Sequence, residues 1–315
     1  MTLARRSQRG VALITAVLLV ALATVLAVAI GSRSMQGARR SIANTSLEQG
    51  LQYGAGAEAL AAWVLATQRG ARDSPDQPWA RPLGPLEVAP GVVIAAQLSD
   101  EQGKFNLNSV VNARGEVDPE ALRLFERLLA LLGLETRWAA QWADWVDTDT
   151  LPSAEGGEDG LYLGQPVAHR AVNLPVSSIS ELLQLPGFDA QRFARLAPHV
   201  TALPSSTVKV NVCTATGAVL DALFALAAQD SFTTEYSRMP VADLAAARAR
   251  GCFPELAVLR GTVGAAVERR AAEQSHYFRL RTDVALGTDH FALYSLLLRE
   301  EDGTARPLLR SLGTN

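Results

Sequence analysis

Residues 1–30 read MTLARRSQRG VALITAVLLV ALATVLAVAI. The first ten residues end in Gly10, and the 20 residues that follow have Thr15 and Thr24 as their only polar side chains. As a helix rising 1.5 Å per residue, this run would span about 30 Å, which matches the hydrocarbon core of a bilayer. The stretch therefore predicts a membrane-crossing helix that begins directly after a short basic leader.

The charges around this run predict its orientation in the membrane. Arg5, Arg6 and Arg9 precede it, and the positive-inside rule places such residues in the cytoplasm. We therefore expect a single-pass protein with a cytoplasmic N-terminus and its bulk outside the cytoplasm. A cleavable secretory signal is the alternative, because the sequence AVAIGSRS at residues 27–34 offers a weak cleavage site after the run.

The chain as a whole has the composition of a globular protein, with 48% hydrophobic and 19% charged residues over a length of 315. Its net charge is −3, and the part after the three leader arginines carries −6, which is unfavourable for binding nucleic acid. The sequence contains no nucleophile elbow, phosphate-binding loop or dinucleotide fingerprint. We therefore predict that the chain is not an enzyme, with a cleaved, secreted enzyme as an alternative.

Helical spacing of apolar residues continues beyond the membrane run. It reaches Val64, and no proline occurs before Pro75, which predicts one helix over about residues 11–66, roughly 80 Å long. Glycines at 50, 54 and 56 are expected to weaken this helix, and two separate helices are the alternative. A proline-rich linker at 73–85 and a strand at 91–100 are predicted next.

Strands are predicted near the C-terminus because apolar and polar residues alternate there. They cover 276–286, 290–300 and 305–313, and the N-terminal helix is the natural surface for them to pack against. The predicted fold class is therefore α+β: a long N-terminal helix on an antiparallel sheet, with a large inserted all-α domain. The predicted units are a leader (1–10), the membrane part of the helix (11–31), the first part of the core (32–105), the insert (106–265) and the C-terminal strands (266–315).

The segment from 144 to 159 is unusually rich in carboxylates. No Lys or Arg between Arg137 and Arg170 neutralises them. Oxygen ligands without Cys or His select a hard cation, and a flexible loop favours Ca²⁺ over Mg²⁺. A solvated acidic loop is the alternative. Asp144 and Glu155 are weaker candidate ligands than the others, and Asp144 is the first candidate for a structural role instead. The carboxylates are Asp144, Asp147, Asp149, Glu155, Glu158 and Asp159.

Two segments of the insert, at 179–200 and 210–226, resemble helix-hairpin-helix or SAM-like units. Glycine-rich hairpins of that family let backbone amides approach DNA phosphates, and a membrane-anchored DNA-binding protein is therefore an alternative function. However, Asp189 stands where the pattern has a second glycine, and the span 106–265 holds 18 acids against 12 bases. Repulsion between these acids and phosphate predicts that the chain does not bind nucleic acid.

The two cysteines, Cys213 and Cys252, lie in the part predicted to be outside the cytoplasm, where disulfides can form. A bridge between them would close a loop of about 40 residues and stabilise the fold by roughly 3–4 kcal/mol. Two buried free thiols are the alternative. The predicted compartment favours the bridge.

The leader ending in Gly10, the apolar run and the long helix together resemble the type IV pilin and pseudopilin class. Four further stretches are similar to the general secretion pathway protein K family, the large minor pseudopilin of type II secretion. They are SDEQGKFNLNSVVN (99–112), ADWVDTDTLP with GGEDGLYL (143–152 and 156–163), HRAVNLPVSSISELLQLPGF (169–188) and VNVCTATGAVL (210–220).

The resemblance implies how the N-terminus is processed and used. A prepilin peptidase would cut between Gly10 and Val11 and methylate Val11, and the helix would stay as membrane anchor and assembly stalk. Most members of the wider class have Glu at the fifth residue after the cut, where this chain has Thr15. A subunit that lacks this carboxylate and carries a bulky insert fits the tip of the fibre, where it would initiate assembly.

The resemblance also implies partners, a location and a metal. The expected partners are minor pseudopilins of the I and J families, the major pseudopilin and the inner-membrane assembly platform. The expected location is the bacterial inner membrane, with the bulk of the chain in the periplasm. One or two Ca²⁺ ions are expected in the acidic loop, whose residues Asp147, Asp149, Glu158 and Asp159 match the acidic motif of the family.

Overall fold

The computed structural model describes residues 9–68, 70–226, 252 and 264–313. Its first element is one unbroken helix, α1 (Arg9–Thr67), so the prediction of a single helix is confirmed and the two-helix alternative is wrong. Within the described residues, α1 is the one helix long and apolar enough to cross a membrane, with a mean hydropathy of 2.9 in its most apolar window. Residues 1–8 of the predicted leader lie outside the described part.

Five antiparallel strands form the main sheet, in the order β1-β2-β7-β8-β9, and two short parallel pairs, β3 with β4 and β5 with β6, lie in the insert. The three C-terminal strands confirm the prediction from alternation. The described strands are β1 (Leu83–Ala89), β2 (Val92–Asp100), β3 (Phe105–Asn106), β4 (Val200–Thr201), β5 (Val210–Asn211), β6 (Ala271–Ala272), β7 (Tyr277–Leu286), β8 (Asp289–Arg299) and β9 (Ala305–Leu312).

The membrane-distal half of α1 packs across β7, β8 and β9, as the apolar face of the strands predicted. Two of its glycines permit this contact. A Cβ atom at Gly50 would lie 2.9 Å from the ring of Phe291, and one at Gly54 would lie 2.8 Å from Leu293 Cδ2. These glycines were expected only to weaken the helix. Their role is to let the helix approach the sheet closely, because they have no Cβ atom.

Strand β1 corrects the prediction of a linker over residues 73–85. The segment also contains a 3-10 helix, Pro78–Ala80, whose Trp79 packs edge-on against Phe278 with ring centroids 5.2 Å apart. Prolines hid the strand from the sequence pattern. An edge strand tolerates proline because its outer backbone amides have no ladder partner.

The insert has one continuous hydrophobic core that extends from Phe105 to Val267 and includes the three tryptophans at 138, 142 and 145. All three are buried, so the helix that precedes the acidic loop is anchored in this core. The last helix packs into this core, and β6 pairs with β5, so the insert continues past the predicted boundary at 265. Its described helices are α2 (Pro119–Leu131), α3 (Arg137–Val146), α4 (Asp159–Tyr162), α5 (Ala190–Leu196), α6 (Gly217–Phe224) and α7 (Gly264–Arg270).

The hairpin segment differs from a helix-hairpin-helix unit. Residues Ile179–Gln184 form a 3-10 helix instead of an α-helix. Gly187 has φ +78, a conformation that favours glycine. Asp189 caps α5 by accepting a hydrogen bond of 2.9 Å from the Arg192 amide, and it pairs with the Arg192 guanidinium. The carboxylate that stands in the hairpin therefore serves the fold by capping a helix.

A buried polar cluster fixes the insert to the sheet. Asn211 donates through Nδ2 to the Asp73 carbonyl (3.0 Å), to Asp100 Oδ2 (2.8 Å) and to Ser275 Oγ (2.9 Å). Asp73 also forms a buried ion pair with Arg299 of β8. Burial raises the pKa of Asp100 to about 6, although the hydrogen bonds it accepts act in the opposite direction. These contacts hold the insert in one position instead of leaving it on a flexible tether.

A disulfide joins Cys213 and Cys252, so the bridge is present and the alternative of two free thiols is wrong. Both cysteines are buried, and Cys213 belongs to the core of the insert next to the polar cluster. The bridge links the segment before α6 to a point 39 residues further along the chain.

Replacing both cysteines, Cys213→Ala with Cys252→Ala, is expected to lower the free energy of unfolding by about 4 kcal/mol. This value follows from the chain-entropy model for a sequence separation of 39. Urea denaturation of the oxidised wild type and the variant measures the difference. Reduced wild type should match the variant, and a midpoint shared by variant and oxidised wild type would contradict the prediction.

Candidate metal centre and exposed helix

Three of the predicted metal ligands converge in the acidic loop. Oxygens of Asp147, Asp149 and Glu158 all lie within 4.8 Å of one another. Asp147 is the C-cap of α3, Glu158 is the N-cap of α4, and Asp149 lies in the connection between them. The loop thus folds back on itself and brings carboxylates eleven residues apart in sequence to one point.

Burial and mutual repulsion both oppose ionisation of this group. Asp147 is 2% exposed and Glu158 is 8% exposed, whereas Asp149 faces solvent. Burial, followed by the charges of Asp149, Asp144 and Glu158, raises the pKa of Asp147 to about 7. Burial also raises the pKa of Glu158. Carboxylates held together at this cost are typical of a cation site, because a cation removes the repulsion.

Oxygen atoms without hydrogen-bond donors mark the same place. Around the acidic loop, four buried side-chain oxygens receive no hydrogen bond from any residue that the structure describes: Asp144 Oδ1, Asp147 Oδ1, Glu158 Oε1 and Asn173 Oδ1. Buried acceptors are nearly always paired. An all-oxygen set with free acceptors fits a hard cation such as Ca²⁺, which takes 6–8 oxygen ligands.

The other predicted ligands lie outside the converging three. Asp144 Oδ2 accepts a hydrogen bond of 2.8 Å from the Ser153 amide, and its other oxygen is one of the four without a donor. Asp159 accepts from the Ala171 amide at 3.1 Å and pairs with Arg170 at 3.5 Å. Glu155 is exposed. The loop thus uses Asp144 and Asp159 to hold its own shape.

Asn173 belongs to this site and was not predicted. It is the only non-glycine residue with positive φ, at 51°, in the part of the chain that the structure describes. Its Nδ2 donates to the Asp149 carbonyl and, at 3.5 Å, to Glu158 Oε2. Asn173 is uncharged and lies 15 positions beyond Glu158, so the pattern of acidic residues does not predict its role.

Aromatic side chains form the base of the site. Trp145 packs edge-on against Tyr162, with ring centroids 4.8 Å apart, and His169 contacts both rings. Tyr162 is fully buried, and burial together with the charges of Asp144 and Glu158 raises its pKa. The carboxylates therefore rest on the rigid core of the insert.

The membrane-proximal half of α1 contacts no other part of the described structure. Its apolar side chains from Leu13 to Ile42 are exposed. Thr15, which stands where the pilin class usually has Glu, donates its hydroxyl to the Ala12 carbonyl at 3.0 Å, within its own helix. The first acidic residue of the chain is Glu48. This half of the helix needs a lipid bilayer or other apolar helices around it.

The N-terminal half of the long helix α1 packs against nothing in the described structure, and its C-terminal half packs on an antiparallel sheet. This arrangement defines a membrane-anchored subunit of the pilin type. Comparison with known proteins agrees. The family model for type II secretion system (T2SS) protein K matches residues 103–205. The type II secretion system protein K of Pseudomonas aeruginosa is 33% identical over 98% of this chain and 94% of that protein.

Two further matches support the same assignment. The protein of the same name in Klebsiella pneumoniae is 34% identical over 93% of each chain. The solved GspK-GspI-GspJ complex of the type 2 secretion system of enterotoxigenic Escherichia coli contains a chain that matches with a TM-score of 0.69. That match is 26% identical and covers 88% of this chain and 100% of the other. The chain belongs to the type II secretion system protein K family and is a minor pseudopilin.

Proposed function

We propose that this chain caps the tip of the periplasmic pseudopilus and initiates its assembly. The observation that carries the proposal is the position of the insert. It is fixed by Asp73, six residues after the end of α1 at Thr67, and therefore at the membrane-distal end of the molecule. On the sheet face opposite α1, Leu203 packs against Tyr277 and Leu296. A bulky domain held there leaves no room for another subunit above it.

Assembly requires the apolar half of α1 to leave the bilayer. Packing against the helices of other pseudopilins replaces the lost lipid contacts and lowers the cost of this step. A repeating subunit with Glu at the fifth mature position would pair with the terminal amine of its neighbour. Thr15 cannot form that ion pair, which suits a subunit that starts the fibre rather than extending it.

The partners we propose are minor pseudopilins of the I and J families, then the major pseudopilin and the inner-membrane assembly platform. The solved complex, in which GspK occurs together with GspI and GspJ, supports the first of these. We also propose that a prepilin peptidase cuts between Gly10 and Val11 and methylates Val11. The mature chain would then sit in the inner membrane with its bulk in the periplasm.

We propose that the acidic loop binds one or two Ca²⁺ ions. Asp147, Asp149 and Glu158 would hold the metal, with Asp144 and Asn173 close enough to support them. The role we propose for the ion is structural and not catalytic. It would tie the end of α3, the loop and the start of α4 into one rigid piece on the outer part of the tip.

The position of the chain on an assembled fibre tests the central proposal. A capping subunit lies at one end, whereas a repeating subunit lies along the shaft.

A further inference from the structure

The first charged residues after the membrane run of α1 are three arginines. Arg33, Arg39 and Arg40 are the only charged side chains between Arg9 and Glu48. All three are exposed, and none forms an ion pair with a carboxylate that the structure describes. Glu48 lies eight residues beyond Arg40, about 12 Å along the helix, which is too far for an ion pair. We name these three residues the arginine collar.

Helix geometry places the collar at the surface of the membrane. Because α1 is unbroken, each residue after Ile30 lies ~1.5 Å farther from the hydrocarbon core, so that Arg33 is about 4.5 Å outside it and Arg40 about 15 Å. Helical side chains lean back over the preceding turn, about 5 Å nearer the membrane. The headgroup layer is roughly 5–7 Å thick on each side of a bilayer. The guanidinium groups thus lie in that layer or a few ångströms outside it, closer than the Debye length of about 8 Å.

The collar is the only group on this flank of the run that can anchor the helix at the membrane surface. Tryptophan and tyrosine commonly have that role, but the first aromatic residue of the chain is Tyr53. Basic residues also oppose the transfer of their flank across the membrane. A cut after Gly10 would remove the three leader arginines and leave the collar as the only charged side chains beside the run.

We propose that the collar binds the phosphate groups of anionic phospholipids in the leaflet that faces the globular part of the chain. The inference rests on the proposed function only for the identity of that leaflet, which is the periplasmic one of the inner membrane. Guanidinium groups form paired hydrogen bonds with phosphate oxygens, and basic side chains beside a membrane attract anionic lipids. Arg33 and Arg40, seven residues apart, lie on one face of the helix, whereas Arg39 is about 100° away from Arg40. The collar can therefore hold more than one lipid.

This binding fixes the depth of α1 in the bilayer before assembly. Movement of the helix toward the cytoplasm would bring Arg33 into the hydrocarbon core, where a charged side chain is costly. Movement in the other direction would separate the collar from the phosphates. Extraction of the helix must therefore break these contacts, so the collar opposes release of the chain from the membrane.

The test replaces the collar, Arg33→Gln with Arg39→Gln and Arg40→Gln, in the full-length chain reconstituted in phosphatidylcholine vesicles. Electron spin resonance measures how much spin-labelled phosphatidylglycerol, relative to spin-labelled phosphatidylcholine, is held next to the protein. The wild type is expected to prefer phosphatidylglycerol at least fivefold, which corresponds to one arginine acting on an anionic lipid, and the variant should lose most of this preference. A matched control changes the net charge equally and should keep the preference. It replaces three exposed arginines of the insert by glutamine, namely Arg114, Arg123 and Arg195.

Three results of this measurement would overturn the inference. The first is equal association of both lipids with the wild type. The second is an equal preference in the collar variant and the control, because any attraction would then come from the overall charge of the chain. The third is displacement of the labelled lipid by an equal concentration of glycerol phosphate, which would show a site for small anions instead of a lipid.

A crosslinking experiment in cells identifies the bound molecule. Gln36 lies between Arg33 and Arg40 on the same face of the helix, and a photoreactive residue in its place should form adducts with phospholipid. Adducts with protein alone would overturn the inference. Protease digestion of spheroplasts tests the proposed location separately. A protected insert would contradict the periplasmic location, while the lipid preference of the purified chain would stand.

Discussion

Adding about 1 mM Ca²⁺ to the metal-free, full-length chain in detergent is expected to raise its melting temperature by about 8 °C. An ion present at about 1,000 times its Kd stabilises the folded state by about 4 kcal/mol. Each kcal/mol shifts the melting temperature of a chain of this size by roughly 2 °C. A scan with Ca²⁺ and with chelator measures the effect, and identical curves would contradict the metal site.

Two substitutions make this prediction specific. Asp147→Asn removes a buried ligand and is expected to abolish most of the response to Ca²⁺. Glu155→Gln removes an exposed carboxylate of the same loop, outside the converging three, and should keep the full response. Equal responses from both variants would show that Ca²⁺ acts through general charge screening.

The response should also depend on pH. The folded, metal-free protein holds a proton on Asp147 up to a pKa of about 7, far above the ordinary value of about 3.9. Without metal, this group therefore contributes stability at low pH that is lost as the pH rises through 7. Ca²⁺ requires the ionised carboxylate, so its stabilising effect should be larger at pH 8 than at pH 5.5. The reverse order would contradict the assignment of Asp147 as a ligand.

The second large effect is expected at the N-terminus, where Gly10→Val should abolish processing. A peptidase that cuts after Gly10 leaves a mature chain beginning with methylated Val11, and the variant would keep its leader. Gly31→Val is the matched control, because a Cβ at Gly31 meets nothing within 4 Å and lies near the alternative cleavage site. Intact-mass measurement of the purified chains distinguishes these outcomes. A wild-type chain that begins near residue 31 would contradict the proposal.

The elements that the sequence predicted correctly share one property: their pattern is local. The membrane run of α1 reads as 20 nearly uninterrupted apolar residues, and the strand at 277–286 alternates without a break. Such features need only neighbouring residues to form.

The features that were missed depend on distant partners. Strand β1 is the exception, because its partner β2 follows it directly and the prolines of the segment hid its pattern. Gly50 and Gly54 looked like weak points of the helix because Phe291 and Leu293, which approach them, lie more than 200 residues away. These contacts exist only in the folded chain, so no local pattern predicts them.

The candidate site was partly predictable for the same reason. Charge density pointed to the acidic loop, and the converging carboxylates Asp147, Asp149 and Glu158 were all among the predicted ligands. The sequence could not separate them from Asp159, whose partners Ala171 and Arg170 become neighbours only when the loop closes. That closure also brings in Asn173.

The most direct test of the central claim is the location of this chain on single pseudopili. Fibres assembled from the complete secretion system would be labelled by gold-coupled antibodies against the insert, and antibodies against the major pseudopilin would serve as control. We expect insert label at one end of each fibre and control label along the whole shaft. Insert label distributed along the shaft would contradict the claim that this chain caps the tip.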